Sequence, residues 1–406
     1  MAKTMLIADD LTGTLDSGVC LLAQGAHVLV DDSSMDGAFA STDGALCVNT
    51  ASRHMAPAEA AEHVYALVSA AKKAGVRRIV KKTDSALRGN IGAELAAALK
   101  ASGEPRLHFI PALPAMGRVT CGGVHYVDGV PVSESVFGRD PFEPVTVSDV
   151  REVIALQSEV PTMLVRSGEP VPCDFEGIVV YDAQTDGDVA SRIQQIDAAR
   201  DAGVLAGCAG LASSLASMEA DKAADQATPA FTGNLLVVCG SVNDVSRRQC
   251  DLAEESGARV FHIAETEKSD DAWLCGDDGR AFVAAVNASW AANPLTVVNG
   301  SGLEDLSSLI PEGADVRQVV SDHIGGLLAA ICAAGVRGRA LVTGGDVLTS
   351  FLAQAKVAEL SPLGQVSDGV VAFKVGLGAD DLVIASKSGG FGNDELLVQM
   401  AQLGTK

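Results

Sequence analysis

The segment 81–90 concentrates side chains that could bind a small anion. Its sequence, KKTDSALRGN, places two lysines, an arginine, an aspartate and two hydroxyls immediately after the strand-like run 76–80. Guanidinium and ammonium groups bind carboxylates and phosphates through charge-assisted hydrogen bonds. A solvated turn whose charges face water is the alternative for any isolated charge cluster. We predict an oxyanion site here because two further features of the chain support it.

The overall charge of the chain is the first of these features. The protein carries 52 acidic and 30 basic side chains, a formal net charge of -22, whereas residues 81–118 hold six basic groups against three acidic ones. An acidic protein repels small anions at long range, so an anionic substrate needs local cations and oriented backbone amides. The same charge argues against a nucleic-acid partner, because binding to a phosphate backbone requires a basic face.

A carboxylate-rich motif near the N-terminus is the second feature. Residues 9–18 read DDLTGTLDSG and follow the apolar run 5–8, where a chain leaving a parallel sheet would enter a helix. Helix capping by Asp10 or Thr12 would explain one such residue, but it explains the adjacent pair Asp9 and Asp10 poorly. Function in parallel sheets collects in the loops that follow the carboxyl ends of the strands, so this motif and segment 81–90 are candidates for one site.

The same motif has a rival interpretation. A strand followed by Asp-Leu-Thr-Gly-Thr-Leu resembles the nucleophile motif of haloacid-dehalogenase-type phosphatases, in which Asp10 would be the nucleophile. Most phosphatases of that type carry a second aspartate two residues later, where this chain has Thr12. A phosphatase of this type therefore stays an alternative, together with a non-catalytic sensor of nucleotides or sugar acids.

Glycine-rich turns in the second half of the chain could bind phosphate groups. GS at 240–241, GGDVLTS at 344–350 and KSGGFG at 387–392 each follow an apolar run. Turns without side chains let backbone amides approach a phosphate, and the N-terminus of the next helix adds partial positive charge. Residues 341–400 hold only three lysines against seven acidic side chains. A polyphosphate would therefore be bound by amides, by Lys387 and by a divalent ion.

The bulk composition is typical of a large globular protein. With 406 residues, 48% of them hydrophobic and 20% charged, the chain can form two or three domains with sizeable cores. Nine scattered cysteines without a Cys-x-x-Cys pair indicate reduced thiols. Because no signal segment or membrane span is evident, we expect a cytoplasmic protein. A chain of this size rich in alanine and valine is also compatible with a homodimer.

Short apolar runs alternate with alanine-rich amphipathic segments along the whole chain. This alternation predicts an α/β fold with two domains, 1–225 and 233–406, each a mainly parallel sheet flanked by helices. The predicted strands are 5–8, 28–30, 45–48, 78–80, 107–110 and 178–180 in the first domain, and 235–239, 259–263, 295–298, 340–342 and 382–385 in the second.

Several of these motifs, taken in order, resemble those of the four-carbon acid sugar kinases. The resemblance covers nearly the whole chain. Its motifs are ADDLTGTLDSG at 8–18, KKTDSALRGNIGAEL at 81–95, PALPAMGRVTCGGVHYVDGVPVSES at 111–135, GS at 240–241, GGDVLTS at 344–350 and SKSGGFG at 386–392. The resemblance implies ATP-dependent phosphorylation of a terminal hydroxyl on a tetronate such as threonate or erythronate. It also implies an N-terminal sugar-acid domain and a C-terminal nucleotide domain, with the active site in the cleft between them.

The resemblance also implies site residues. Substrate contacts would come from Asp9, Asp10, Arg53, Lys82, Thr83, Asp84 and Ser85, with Arg88 nearby. ATP contacts would come from Ser241, Gly344, Gly345, Asp346, Val347, Gly389 and Gly390. The chain departs from the family at Leu11, where Phe is common, and at Val347, where many members have a hydroxyl residue.

Phosphoryl transfer depends mainly on in-line placement and on charge neutralisation at the moving group. We therefore predict that Asp10, ahead of Asp84, accepts the proton of the attacking hydroxyl. Lys82 or Arg88, together with Mg²⁺, would offset the charge on the transferred phosphoryl group.

Overall fold

The structure is a computed structural model of the chain. It describes residues 2–35, 38–140, 143–219, 231–302, 314–367, 369–377, 380–387 and 390–403. The chain divides into two compact units, Met1–Gln226 and Ala227–Lys406. Both units combine β-strands with helices, as the alternating sequence pattern predicted.

The first unit contains a large parallel sheet and a small antiparallel one. Its strands are β1 (Thr4–Ala8), β2 (His27–Leu29), β3 (Ala45–Asn49), β4 (Arg78–Lys82), β5 (Arg106–Ile110), β6 (Arg118–Cys121), β7 (Val124–Val127), β8 (Val130–Pro131), β9 (Thr162–Val165), β10 (Gly177–Tyr181) and β11 (Val204–Gly207). The large sheet has the order β2-β3-β1-β4-β11-β5-β10-β9, and all its neighbouring strands pair in parallel. Strands β6, β7 and β8 pair in antiparallel fashion.

Helices connect the parallel strands of the first unit. They are α1 (Leu11–Cys20), α2 (Ala38–Ser41), α3 (Pro57–Lys73), α4 (Ile91–Ser102), α5 (Val150–Ala155), α6 (Asp186–Ala198) and α7 (Ala209–Glu219). Strands β1 and β10 are buried along their entire length, which is typical of strands covered by helices on both faces. Their side chains join Leu95 and Ala98 of α4 in one hydrophobic core.

The second unit contains a parallel sheet with an antiparallel edge. Its strands are β12 (Leu235–Cys239), β13 (Arg259–His262), β14 (Leu295–Asn299), β15 (Gly338–Thr343), β16 (Glu359–Ser367), β17 (Val370–Leu377) and β18 (Asp380–Lys387). In the order β13-β14-β12-β15-β18-β17-β16, the strands from β13 to β18 pair in parallel. Strand β17 is antiparallel to both β18 and β16.

The helices of the second unit are α8 (Asp244–Glu255), α9 (Asp271–Cys275), α10 (Asp277–Ala292), α11 (Val316–Ala333), α12 (Gly345–Gln354) and α13 (Leu396–Leu403). Residues of β12, β14, β15 and α13 form the core of this unit. In the described part of the chain, no helix is long and apolar enough to cross a membrane. All nine cysteines are free thiols.

The structure corrects one prediction about segment 81–90. Lys81 and Lys82 are the last two residues of β4, and both are buried, whereas the sequence placed them in the connection after the strand. The strand extends beyond its apolar run because its neighbours β1 and β11 both continue to pair with it up to Lys82. The sequence also missed β9, β11, the small antiparallel sheet, β16 and β17.

Candidate functional site

The predicted substrate residues of the first unit lie at one edge of its sheet. Strands β3, β1 and β4 are parallel neighbours, and Ala8 is aligned with both Asn49 and Lys82. The loops that follow these three strands therefore begin at the same level. They carry Asp9 and Asp10 after β1, Arg53 after β3, and the residues from Thr83 to Arg88 after β4.

Arg53 connects the three loops through ion pairs. Its Nε lies 2.7 Å from Oδ2 of Asp9, and its Nη2 lies 2.9 Å from Oδ1 of Asp10 and 3.6 Å from Oδ1 of Asp84. The Arg53 side chain is only 11% exposed. One guanidinium therefore offsets part of the charge of three carboxylates that would otherwise repel an anionic substrate.

Asp84 is tied to Arg88 by a bidentate contact. Nε of Arg88 donates to Oδ2 of Asp84 at 3.0 Å, and Nη2 donates to Oδ1 at 2.9 Å. The amides of Ala86 and Arg88 also donate to Oδ2. Burial raises the pKa of Asp84, but the charges of Arg88 and Arg53 outweigh it and lower the pKa well below its usual range. Asp84 is therefore a charged structural carboxylate and a poor proton acceptor.

Arg88 is held on several sides. Its Nη1 lies 3.5 Å from Oδ2 of Asp140, and its guanidinium carbon lies 5.1 Å from the centre of the Phe137 ring. These contacts stabilise the loop between Thr83 and Arg88, in which Leu87 has a left-handed backbone with φ 65°. Strained backbone of this kind often occurs at functional sites. The contacts of Arg88 with Asp140 and Phe137, which lie in the stretch FGRDPFEP at 137–144, were not predicted from the sequence.

Lys82 differs from the arginines of this site. It is buried, with 5% of its surface exposed, and no carboxylate of the described residues forms an ion pair with its ammonium group. The ammonium lies against Gly13 of α1, where the Cβ of any other residue would collide with Nζ. The carboxylates of Asp9, Asp16 and Asp84 act on Lys82 from beyond ion-pair distance, so an anionic ligand in direct contact would be a favourable further partner.

Other polar atoms at this edge also lack partners. Within the described residues, Oδ1 of Asp9 and Oγ1 of Thr83 are buried and make no hydrogen bond. Buried polar groups are nearly always satisfied, and an exception needs an explanation. An acceptor and a hydroxyl in the loops after β1 and β4 match the hydroxyl groups of a small polyhydroxy acid.

Asp10 caps α1 and stays partly accessible. Its Oδ1 accepts from the amide of Gly13 at 3.0 Å and from Arg53, while 27% of its side chain is exposed. The helix-capping interpretation of Asp10 is therefore confirmed, and Oδ1 is the oxygen that forms the cap. In the same helix, burial raises the pKa of Asp16 to about 7, with Lys82 opposing this shift and Asp10 adding to it.

Two further features complete this region of the first unit. His125 of β7 is buried and neutral, because burial lowers its pKa to about 4, and its Nε2 donates to the carbonyl of Ser85 at 2.9 Å. A cavity of about 280 Å³ adjoins the cluster on the side of Arg53 and Arg88 and is also lined by Val145 and Leu156. This volume is close to the lower end of ligand pockets, roughly 300 to 1,000 Å³.

In the second unit, two predicted phosphate loops meet at a topological switch point. Strands β12 and β15 are parallel neighbours, with Cys239 aligned with Thr343. The chain leaves β12 towards β13 on one side and leaves β15 towards β16 on the other. Open α/β sheets bind ligands in the crevice at such a point. The turns 240–241 and 344–347 border it.

Close packing holds these two turns together. The amide of Gly240 donates to the carbonyl of Thr343 at 3.0 Å, and a Cβ on Gly240 would collide with Cγ2 of Val347. A Cβ on Gly344 would lie 3.8 Å from the backbone nitrogen of Ser241. The buried side chain of Val347 packs on Gly240, so this residue could contact a nucleotide only through its backbone.

Helix α12 begins in this crevice. Its N-cap is Gly344, whose φ of 111° favours glycine, and the described residues provide no side chain that caps it. The amides of the first turn are therefore available to a phosphate group. Asp346 lies in this turn, and its Oδ2 is 3.4 Å from Nη1 of Arg317.

The third predicted loop begins at Lys387, the last residue of β18. The amide of Gly344 donates to its carbonyl at 3.4 Å. Nζ of Lys387 lies 3.2 Å from Oγ of Ser246 and 3.1 Å from the carbonyl of Phe391, and burial lowers its pKa to about 8. Gly390 is exposed, whereas Gly389 lies outside the described residues.

The described residues contain no group of three or more His, Cys, Asp or Glu side chains that could hold a metal ion. Mg²⁺ usually binds proteins through one or two carboxylates together with substrate phosphates. Asp346, in the first turn of α12, is the carboxylate of the predicted nucleotide site that fits this mode of binding.

Comparison with known proteins matches one domain family in each of the two units. Residues 4–215 match the sequence model of a sugar-binding N-terminal domain, and residues 236–397 match that of a nucleotide-binding C-terminal domain. A D-threonate kinase of Salmonella typhimurium is 32% identical, covering 97% of this chain and 96% of its own. This protein belongs to the four-carbon acid sugar kinase family. The predicted resemblance is thereby confirmed.

Other members of the four-carbon acid sugar kinase family agree with this assignment. A D-threonate kinase of Bordetella bronchiseptica is 31% identical, covering 98% of this chain and 96% of its own. A solved structure from Salmonella typhimurium has a TM-score of 0.77 at 20% identity and covers 98% of both chains, which supports the fold. The chain is therefore an enzyme of the phosphotransferase class. The comparisons give no support to the alternative of a haloacid-dehalogenase-like phosphatase or of a sensor.

Proposed function

We propose that this protein transfers the γ-phosphoryl group of ATP to the terminal hydroxyl of a four-carbon sugar acid, with D-threonate or D-erythronate as the preferred substrate. The observation that carries this proposal is the cluster around Lys82, a buried cation without an ion pair among the described residues. The unsatisfied atoms of Asp9 and Thr83 belong to the loops that follow β1 and β4, and β4 ends at Lys82. The names of relatives, which include D-threonate, D-erythronate and 3-oxo-tetronate kinases, support the choice of tetronates.

In the first unit, the substrate would be bound through its opposite ends. Lys82, with Arg53 and Arg88 nearby, offers positive charge to the carboxylate. The hydroxyls of the tetronate would bind Oδ1 of Asp9 and the side chains of Thr83 and Ser85. Polar groups at both ends would discriminate against acids that lack the hydroxyls, because a missing partner leaves buried polar atoms unsatisfied.

The proton acceptor in this proposal is Asp10. Asp84 pairs with Arg88 and Arg53. Burial raises its pKa, but the charges of the two arginines outweigh this effect and keep the pKa well below its usual range. Asp10 uses Oδ1 for the cap of α1 and for Arg53, and its side chain stays partly exposed. A carboxylate of this kind can accept the proton of the attacking hydroxyl as phosphoryl transfer proceeds.

In the second unit, the triphosphate would be bound by the turns 240–241 and 344–347 and by the first turn of α12. Lys387 and Gly389 or Gly390 would complete this half-site. Mg²⁺ bound to the phosphates would neutralise charge on the transferred group. Transfer requires the two half-sites to meet around the bound substrates, so we propose that the reaction takes place between the domains. Free thiols are consistent with a reducing compartment such as the cytoplasm.

The test is a panel assay with Mg-ATP and D-threonate, L-threonate, D-erythronate and 3-oxo-tetronate, following ADP formation. We expect ADP to form only with a tetronate present, and D-threonate or D-erythronate to give the highest kcat/KM. Saturable binding of tetronates without ADP formation would indicate a sensor. Phosphate release from a phosphorylated tetronate without ATP would indicate a phosphatase.

A further inference from the structure

A buried ion pair lies beneath the substrate residues of the first unit. Nζ of Lys81 is 2.9 Å from Oε2 of Glu94, and the side chains of the two residues are 0% and 1% exposed. Glu94 lies in the first turn of α4. Burying two charges costs more than an apolar pair of similar volume would, so stability alone is a weak reason for such a pair.

The pair is connected to the loop that carries Arg53. Oγ of Ser52, the residue before Arg53, donates to Oε1 of Glu94. The residue before this turn, Ala51, has a left-handed backbone with φ 49°. Since alanine does not favour that conformation, the turn needs external contacts to keep its shape. Glu94 supplies one of these contacts.

The pair is also connected to the ends of β4 and β1, next to the loops that carry Thr83 and Asp9. Nζ of Lys81 donates to the carbonyl of Lys82 at 2.8 Å. On the other side, Oγ of Ser52 lies 2.7 Å from Oγ1 of Thr50, which donates to the carbonyl of Ala8 at 2.8 Å. Ala8 directly precedes Asp9. The network therefore contacts Ser52 in the loop after β3, Lys82 at the end of β4 and Ala8 at the end of β1. Each of these residues lies in or directly before one of the three substrate-binding loops.

We propose that Glu94 and Lys81 are positioning residues for the sugar-acid site, and that they set the relative placement of Arg53, Lys82 and Asp9. This inference rests on the proposed function, because it assigns the network to the same half-site. The pair acts through the residues beside the binding groups and makes no contact with the substrate in this scheme. An error of about 1 Å in such placement can cost about 100-fold in rate.

The inference can be separated from a purely structural role with paired variants. Glu94→Gln leaves Lys81 buried without its counter-charge, which should lower the thermal midpoint strongly. The double variant Lys81→Met/Glu94→Gln removes both charges and should recover much of that loss. It lacks the Lys81 donor to the Lys82 carbonyl, so we expect kcat/KM for the tetronate to stay about 100-fold below wild type. KM for ATP should be unchanged.

Asp201→Asn is the matched control. Asp201 forms a largely buried ion pair with Arg106, 2.6 Å between Nη1 and Oδ2, and this pair also lies in the first unit. Arg106 begins β5, at the end of the sheet opposite the substrate loops. The control should lower the thermal midpoint while kcat/KM for the tetronate stays within about twofold of wild type.

A milder variant tests one link of the network. Ser52→Ala removes the hydroxyl between Glu94 and Thr50 and should raise KM for the tetronate about tenfold, as expected for one lost hydrogen bond. A double variant Lys81→Met/Glu94→Gln with wild-type kcat/KM, or a Ser52→Ala variant with unchanged KM, would overturn the positioning role. A wild-type protein that binds no tetronate in calorimetry and forms no ADP would instead overturn the proposed function.

Discussion

The candidate sites of the two units are built from different chemical groups. In the first unit, the candidate site consists of charged side chains that form ion pairs with one another, and Arg53 contacts Asp9, Asp10 and Asp84. In the second unit, the candidate site is made of backbone, with turns so tightly packed that Gly240 has no room for a Cβ. A short acid with several hydroxyls needs groups placed individually, whereas a triphosphate can be bound by repeated amides.

This difference predicts that substitutions in the two units impair different steps of the reaction. Loss of a side chain in the first unit should impair the chemical step or tetronate binding and leave ATP binding unchanged. Addition of side-chain volume in the second unit should impair ATP binding alone.

The largest effect is expected for Asp10→Asn. Asparagine is also a good N-cap, so α1 should keep its start while the proton acceptor is lost. We expect kcat to fall about 10² to 10⁴-fold, the usual contribution of general base catalysis, with little change in KM for ATP. Steady-state kinetics with both substrates varied would measure this. Near-normal turnover would remove Asp10 from the role of base.

The substitution Lys82→Met should act on the sugar acid. It keeps much of the volume beside Gly13 and removes the charge offered to the substrate carboxylate. Hydrogen bonds to charged groups contribute about 1.5 to 3 kcal/mol, so KM for the tetronate should rise about 10 to 150-fold. Lys72→Met is the control, because Lys72 is exposed on α3 and pairs with Glu104. Equal effects of the two variants would argue against the Lys82 contact.

The substitution Gly240→Ala should act on the nucleotide. The added methyl group collides with Val347 and should separate the turns 240–241 and 344–347. Overpacking costs about 1 to 3 kcal/mol, so KM for ATP should rise about tenfold or more while tetronate binding stays unchanged. The double variant Gly240→Ala/Val347→Ala restores the space and should recover most of the affinity. If the single variant binds ATP normally, this crevice is not the nucleotide site.

A smaller effect is expected from pH. Burial lowers the pKa of Lys387 to about 8, so the free enzyme loses this positive charge as the pH rises through 8. Phosphate binding favours the charged form, and KM for ATP should therefore be constant below pH 7 and rise by up to about tenfold per pH unit above 8. KM for the tetronate should not follow this profile. Lys387→Gln should raise KM for ATP at pH 7 and remove the dependence.

The sequence predicted much of the fold because strands and helices alternate with clear apolar patterns. The bounds of β12 were predicted correctly, and those of β1 and β3 to within one residue. Parallel strands bring the ends of β1 and β4 to one edge, so the grouping of Asp9 with segment 81–90 followed from topology, whereas Arg53 entered the predicted site only through the family resemblance. The antiparallel strands of both units were missed. Strands β6 to β8 are short and alternate with glycine turns, and β16 is interrupted by polar residues, a proline and a glycine. Strand β17 has a clear apolar run, VVAFKVGL, that was not assigned.

Finer details of the site could not be predicted in the same way. The sequence does not reveal that β4 continues through Lys81 and Lys82, because lysine is an unusual residue for a buried strand end. Once the strand includes both, alternation sends their side chains to opposite faces. Lys81 then meets Glu94, while Lys82 meets Gly13. Two adjacent lysines that look equivalent in sequence thus have different environments.

The position of the transferred phosphoryl group in the product decides between the proposed kinase and the alternatives. The protein would be incubated with Mg-ATP and D-threonate or D-erythronate, and the product analysed by NMR that correlates phosphorus with carbon-bound protons. We expect a phosphomonoester whose phosphorus couples to the two protons of the terminal carbon, formed in equal amount with ADP. ADP with inorganic phosphate alone, or a phosphate ester at another carbon, would contradict this expectation.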